Sequence, residues 1–347
     1  VLTRCSEGGR SLAIVRLVFA LLLSLPLFAG ASSLILTTSF LVEFLGQGRW
    51  RPLSALSHEP AVRPLPTPPG PRPVAVDLHV RPGVLRPPAL VLVHGLSPEG
   101  KNDARLREAA GLLARSGWAV AVPTLDGLTV LRLRPEDAFA VSATVKALRD
   151  SGYHRVAVLG ISLGAGPALL AAADPDIASG VSATLALGGY ASAVELLRYT
   201  LTGAYAYGGV SGRHPVQEAA IAEFARANTE LVEEAGRRLV ENRDPANLDA
   251  LVRALPQSTR DLLDALSPGR TLEGLRAPLF LIHGRQDPAV PFTESLRLEA
   301  AARAAGRPVR AAIVGAVGHV EANRRAGLAD LLRLWATFYA FRLTAQR

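Results

Sequence analysis

From Val74 onward the chain alternates between short β-branched apolar runs and amphipathic helical stretches, and this alternation narrows the fold more than any other feature. "VAVDLHV" and "ALVLVHG" read as strands, followed by a helix through "DARLREAAGLLARSG". The strand "WAVAVPTL", a helix through "PEDAFAVSATVKALRDSG", the strand "RVAVLGIS", a helix after Ser162 and the strand "SATLALGGY" continue the pattern. Strands that are apolar along their whole length, each followed by such a helix, indicate a parallel sheet covered on both faces. A long, mostly helical stretch over about 191–276 interrupts the alternation. The strand "PLFLIHG", a helix from Phe292 to Ala305, the strand "VRAAIVG" and a last helix from Val320 to about Phe341 then resume it. The expected fold class is α/β: a mostly parallel, doubly wound sheet over 74–347 carrying a helical cap at about 191–276. In such sheets chemistry sits at the C-terminal ends of the strands.

One strand end carries "VAVLGISLGAGPALLAAA", in which Gly160 and Gly164 bracket Ser162. The glycines suit a tight strand-to-helix connection with the serine as a helix cap. They equally suit a strained elbow that holds the Ser162 hydroxyl above the sheet as a nucleophile. Two later strand ends favour the elbow. "LFLIHGRQDPAVP" sets Asp287 just past one strand, and "AAIVGAVGHVE" sets His319 just past the next. Serine, aspartate, histidine is the chain order of a hydrolytic triad on an open α/β sheet. A serine hydroxyl is a poor nucleophile at neutral pH and needs a base within hydrogen-bond reach. A histidine, with an unperturbed pKa of about 6.5, accepts that proton and returns it to the leaving group. The aspartate holds the imidazole tautomer. "VLVHGLSPEG" adds a glycine turn at His94-Gly95 whose following amides face the nucleophile.

Other polar residues read as structural. His94 is a loop residue, His283 faces the core or a loop, and Asp126 marks a helix entry. Glu195 is the first carboxylate after the sixth strand, and Glu321 stands too close to His319 to serve it. The remaining histidines, His58, His79, His154 and His214, show no ligand spacing, so no metal site is expected. Cys5 is the only cysteine, which excludes an internal disulfide framework and a cysteine-based metal cluster.

With these residues in place, the sequence from about Val74 to the C-terminus resembles the α/β-hydrolase superfamily. It is similar in outline to its dienelactone-hydrolase-like and esterase-like branches. The resemblance implies the α/β-hydrolase fold, with nucleophile, acid and base at Ser162, Asp287 and His319. It implies oxyanion donors at the backbone amides of Leu96 and Leu163, and no cofactor. The implied activity is hydrolysis of a small-molecule carboxylic ester through an acyl-enzyme. A serine peptidase or amidase of prolyl-oligopeptidase type is the alternative within enzymes, and a catalytically idle binding module the alternative outside them. The cap opens with "LLRYTLTGAYAYGG", which places Tyr199, Tyr205 and Tyr207 beside Ser162 as candidate substrate-binding residues. A cap of this kind close to a bilayer suits a lipophilic ester.

The N-terminus is organised differently. A basic region over 1–16 holds Arg4, Arg10 and Arg16, and Leu17 to Val42 then runs without a charge, long enough to cross a bilayer. A transmembrane anchor over 17–45 is expected, with an N-terminal signal peptide cut after Ala29 and Ala31, and hence secretion, as the alternative. Residues 46–73 form a linker, proline-dense from Pro60 to Pro73, where an extended spacer is expected. The net charge of +8 is scattered, without a basic run or basic–aromatic interleaving, and nucleic-acid binding is not expected.

Overall fold

The computed structural model describes residues 31–46, 49–84, 87–228, 234–319 and 327–346. The strands are β1 (Ala61–Pro64), β2 (Val76–Val80), β3 (Ala89–Val93), β4 (Ala119–Pro123), β5 (Val156–Ile161), β6 (Val181–Leu187), β7 (Ala204–Tyr207), β8 (Val210–Arg213), β9 (Leu279–Gly284) and β10 (Val309–Val314). Among the described residues, eight strands form one sheet in the order β1-β2-β4-β3-β5-β6-β9-β10. Every pair from β4 to β10 is parallel, while β1 and β2 run antiparallel at one edge. The order reverses at β3, which has β4 on one side and β5 on the other. A crevice therefore opens beyond the C-terminal ends of β3 and β5. Those ends lead into His94-Gly95-Leu96 and Ser162.

Alternate side chains of the strands enter two cores. Val91, Val158 and Leu281 face one, and Leu92, Leu159 and Ile282 face the other. The helices covering the sheet are α1 (residues 31–45), α2 (Ala104–Arg115), α3 (Asp137–Asp150), α4 (Ala165–Ala172), α10 (Thr293–Ala304) and α11 (Leu328–Gln346), with α5 to α9 in the cap. α1, α2 and α11 cover the Leu92 face, and α3, α4 and α10 cover the other. The Asp103 side chain caps α2, accepting from the amides of Arg105 at 2.9 Å and Leu106 at 3.3 Å.

The cap between β6 and β9 comprises α5 (Ala193–Thr202), the hairpin β7–β8, α6 (Glu218–Ala227), α7 (Glu234–Glu241), α8 (Leu248–Ala254) and α9 (Gln257–Ala265). Leu197, Leu201, Ile221, Leu239, Leu248 and Leu255 form its own small core. The hairpin departs from the expected run of helices. Gly208 and Gly209 turn it with φ of +59° and +81°, the two positive values that a two-residue hairpin turn requires.

Two further departures lie in the N-terminal third. Ala61–Pro64, expected as part of an extended spacer, is an edge strand paired with β2, a position that tolerates proline because one side of the ladder is free. The stretch expected to span a membrane contains α1, and α1 packs on the domain. Its Ser33 hydroxyl donates to Gln346 Oε1 at 3.0 Å, and the Trp335 indole donates to the Thr38 hydroxyl at 3.0 Å. The Phe40 ring stacks on Phe338 with centroids 4.9 Å apart. α1 therefore runs antiparallel to α11, burying Phe40 and Leu41 in the sheet's core and leaving Leu34, Ile35 and Val42 exposed. Leu17–Gly30, the rest of the expected span, lies outside the described residues. Among the described residues, no helix is long and apolar enough to cross a membrane.

Candidate active site

β5 ends at Ile161, and the chain turns at once through Ser162–Gly164 into α4. Ser162 takes φ of +53°, a left-handed conformation that a side-chain-bearing residue rarely adopts and that costs on the order of 1–3 kcal/mol. The flanking glycines make the turn possible by close approach. A Cβ on Gly160 would stand 2.5 Å from the Ala165 Cα, and one on Gly164 would stand 2.0 Å from the His94 carbonyl oxygen. Neither glycine leaves room for a side chain. The elbow is thus held between α4 and the β3 loop.

The Ser162 hydroxyl lies 2.7 Å from His319 Nε2, and His319 Nδ1 lies 2.7 Å from Asp287 Oδ2. Asp287 is acceptor-only when ionised, so Nδ1 carries the proton and Nε2 is left to accept from the serine. Asp287 is fully buried, and its second oxygen accepts from the amides of Ala289 at 2.8 Å and Val290 at 2.9 Å. Burial pushes its pKa up, but hydrogen bonds from His283 and His319, and their charge, overcome this and hold it down to about 2. His283 is itself buried and fixed, 2.7 Å from the Ser295 hydroxyl and 2.9 Å from the Val290 carbonyl. Residues that are 125 and 32 positions apart along the chain thus form one hydrogen-bonded line, anchored at the buried end and open at the serine. Of the rival carboxylates, Glu195 pairs with Arg297 at 3.0 Å, and Glu321 lies outside the described residues.

His94 is buried and structural. Nδ1 sits 2.7 Å from the Gly95 carbonyl, and Nε2 accepts from the Leu125 amide at 3.0 Å. Burial lowers its pKa, consistent with a neutral ring that donates at one nitrogen and accepts at the other. It braces the loop that carries Leu96. Leu96 and Leu163 both line a cavity of about 900 Å³ that opens on Ser162 and His319.

The cavity wall divides the three cap tyrosines. Tyr199 lines it, with its hydroxyl 2.9 Å from the Pro288 carbonyl and 2.7 Å from His214 Nδ1. Burial and the nearby Asp287 charge push its phenol pKa up, so the hydroxyl stays protonated. Tyr205 and Tyr207 do not line it, a correction to their expected substrate role. They sit two residues apart on β7 and so face the same way. Tyr205 packs against Tyr199, His214 and Phe292, and the Arg297 guanidinium lies 4.5 Å over the Tyr207 ring. Their work is to hold the hairpin on α10.

Wall residues that the sequence did not single out include Leu133, Leu196 and Val290 near the serine, and Phe40, Leu41 and Phe44 from α1. Asp137 is another. It is buried beneath the loop of Leu131 and Leu133, accepts from the Gly127 amide at 3.0 Å, and is pushed by burial up to about 6. A carboxylate at the first position of an amphipathic helix gives no sequence sign of such burial.

The alpha/beta hydrolase family profile matches residues 90–331, more than two thirds of the chain. No curated protein matches it. Among solved structures, the uncomplexed acylaminoacyl peptidase of Pyrococcus horikoshii is 18% identical with a TM-score of 0.55, covering 83% of this chain and 42% of its own. A puromycin-hydrolyzing peptidase of Mycobacterium tuberculosis is 21% identical with a TM-score of 0.53, covering 85% of this chain and 40% of its own. The chain spans about two fifths of the length of these peptidases, and at such identities the likeness is one of fold. The profile match runs from β3 into α11 and takes in the serine elbow, Asp287 and His319, and on that match the chain belongs to the alpha/beta hydrolase family.

Proposed function

We propose that the protein is a serine hydrolase that cleaves an apolar carboxylic ester. The observation that carries this reading is the unbroken Ser162–His319–Asp287 line opening onto an apolar cavity. In the proposed reaction, Ser162 Oγ attacks the ester carbonyl as its proton passes to His319 Nε2. The carbonyl oxygen becomes an oxyanion facing the Leu96 and Leu163 amides, where each donor contributes about 3 kcal/mol. Collapse of the tetrahedral adduct breaks the ester C–O bond, and the departing alkoxide takes the proton from His319. Water then enters along the same path: His319 accepts its proton, hydroxide adds to the acyl carbon, and Ser162 leaves with that proton restored. Asp287 stays ionised throughout and stabilises the imidazolium.

The named solved neighbours are peptidases, and the same residues suit amide cleavage, so a peptidase is the second reading. The wall near Ser162 favours the ester. Leu96, Leu133, Leu163, Leu196 and Val290 offer side chains with no hydrogen-bonding atoms. A peptide bound there would leave N–H and C=O groups unpaired, each costing about 1–3 kcal/mol. With purified protein, a fluorophosphonate is expected to label Ser162, and nitrophenyl octanoate to turn over with kcat/KM of about 10⁴ M⁻¹s⁻¹ or more. Aminoacyl nitroanilides are expected to react at least about 10³-fold more slowly. Anilide turnover equal to that of the ester would establish the peptidase instead.

We also propose that Leu17–Gly30 directs the chain to or across a membrane. With 31–45 packed on the domain, fourteen uncharged and mostly apolar residues remain. That fits a signal-peptide core of about 7–15 residues better than a span of about 20. It favours removal of the segment after Ala31 over retention as an anchor. N-terminal sequencing of the protein from its producing cells is expected to begin at Ser32. A full-length chain that resists carbonate extraction would restore the anchor.

A further inference from the structure

The residues lining the cavity fall into two groups beside Ser162, which define two limbs. One limb enters the cap past Leu196 and Leu197. The other runs beneath the C-terminal ends of the strands, on the face where Leu92, Leu159 and Leu185 point outward from the sheet. Its opposite wall is built by α2, α11 and α1, through Ala109, Phe338, Phe40 and Leu41. This second limb is not accounted for by the hydrolytic residues or by the cap.

Its chemistry is narrow. The floor is three leucines from adjacent strands, and the roof is an aromatic seam in which Phe40 stacks on Phe44 at 5.8 Å and on Phe338 at 4.9 Å. Glu43 also borders the cavity, but its carboxylate is turned to the chain beyond α1. There it accepts from the amides of Leu53 at 2.9 Å and Ser54 at 3.1 Å. Arg105 and Glu108 of α2 also border the cavity, and its apolar walls gain by being filled with hydrocarbon. Its total volume of about 900 Å³ lies at the upper end of the range for small-molecule sites.

We propose that this limb binds an unbranched hydrocarbon chain of the substrate, and that α1 is a wall of the binding site rather than an appendage to the domain. The proposal rests on the serine-hydrolase reading above and adds the substrate class: an ester with an apolar chain of about eight carbons or more on one side of the scissile bond. The cap limb then receives the group on the other side. Leu106, Ala109 and Leu113 lie three and four residues apart on one face of α2, so a larger side chain at 109 projects into the limb.

The test uses alkyl fluorophosphonates with ethyl and octyl chains, which report on Ser162 whether its natural substrate is an ester or an amide. Wild-type protein is expected to react about tenfold or more faster with the octyl probe, each added methylene contributing up to about fourfold. Ala109→Phe should bring the octyl-to-ethyl ratio close to one. Ala109→Val, a smaller change, should give an intermediate ratio and serves if the phenylalanine variant does not fold. Melting temperature and circular dichroism establish which variants are native. A ratio that stays at its wild-type value in a folded variant overturns the proposal, as does a wild-type enzyme without chain preference, and both leave the hydrolase reading intact. Failure of both probes to label wild-type Ser162 overturns the hydrolase reading and this inference with it.

Discussion

Ser162→Ala is expected to lower kcat on a medium-chain ester by a factor on the order of 10⁶ and to abolish fluorophosphonate labelling. The size follows from how the three residues work together. Once the nucleophile is gone, His319 and Asp287 have no proton to move, so its loss removes nearly all the triad's contribution at once. A residual rate of about 10³–10⁴ over water should persist, because the Leu96 and Leu163 amides and the cavity still hold the substrate. The variant should keep its fold, since the Ser162 side chain contacts solvent and His319 rather than the core. Single-turnover kinetics with a chromogenic ester, beside a thermal melt, would measure both. An alanine variant that still labels or turns over at the wild-type rate would remove Ser162 from the chemistry.

Asp287→Asn should lower kcat by about 10⁴ with KM little changed. The amide that replaces the carboxylate presents an N–H toward His319 Nδ1, so the imidazole takes the opposite tautomer and Nε2 can no longer accept from Ser162. The pH dependence separates this from a loss of structure. The native pKa of Asp287 is held to about 2, below its ordinary 3.8, so ionisation contributes stability at every pH above 3.8. That contribution, on the order of 2 kcal/mol, is lost as pH falls from 3.8 through 2. The difference in melting temperature between wild type and variant should therefore shrink as pH falls below about 4. The activity deficit, by contrast, should be present at every pH. A deficit that disappears at neutral pH would show that Asp287 does not orient the histidine.

The residues of the hydrolytic line were legible in the sequence because each stands at a strand end whose identity is local. Val156–Ile161 reads as a buried strand from its own composition, and the glycines beside Ser162 record how closely His94 and Ala165 approach. Asp287 and His319 follow strands of the same kind. The hairpin at 204–213 was legible in principle, through Gly208-Gly209 between two short runs, but amphipathic helices on either side dominate the window. Helix α1 was not legible. An apolar stretch states that it must leave water, and a bilayer and a waiting protein surface satisfy that demand equally. Only Ser33, Thr38 and Glu43, which find partners in Gln346, Trp335 and Leu53, distinguish the two, and those partners are distant or lie beyond a turn. Tyr205 and Tyr207 failed for a related reason. Sequence places a residue near the elbow, while the strand's two-residue period decides which way it faces.

The pairing of α1 with α11 bears on the order in which the protein is made. Ser33 and Gln346 are 313 residues apart, yet their side chains meet. At about 5–20 residues per second, α1 leaves the ribosome roughly 15–60 s before the helix that covers it. For that interval the Phe40 ring lacks the Phe338 ring on which it stacks in the finished fold. Docking of α1 is thus completed only once α11 has been made, and deleting 328–346 should leave Phe40 without its stacking partner and the product prone to aggregate.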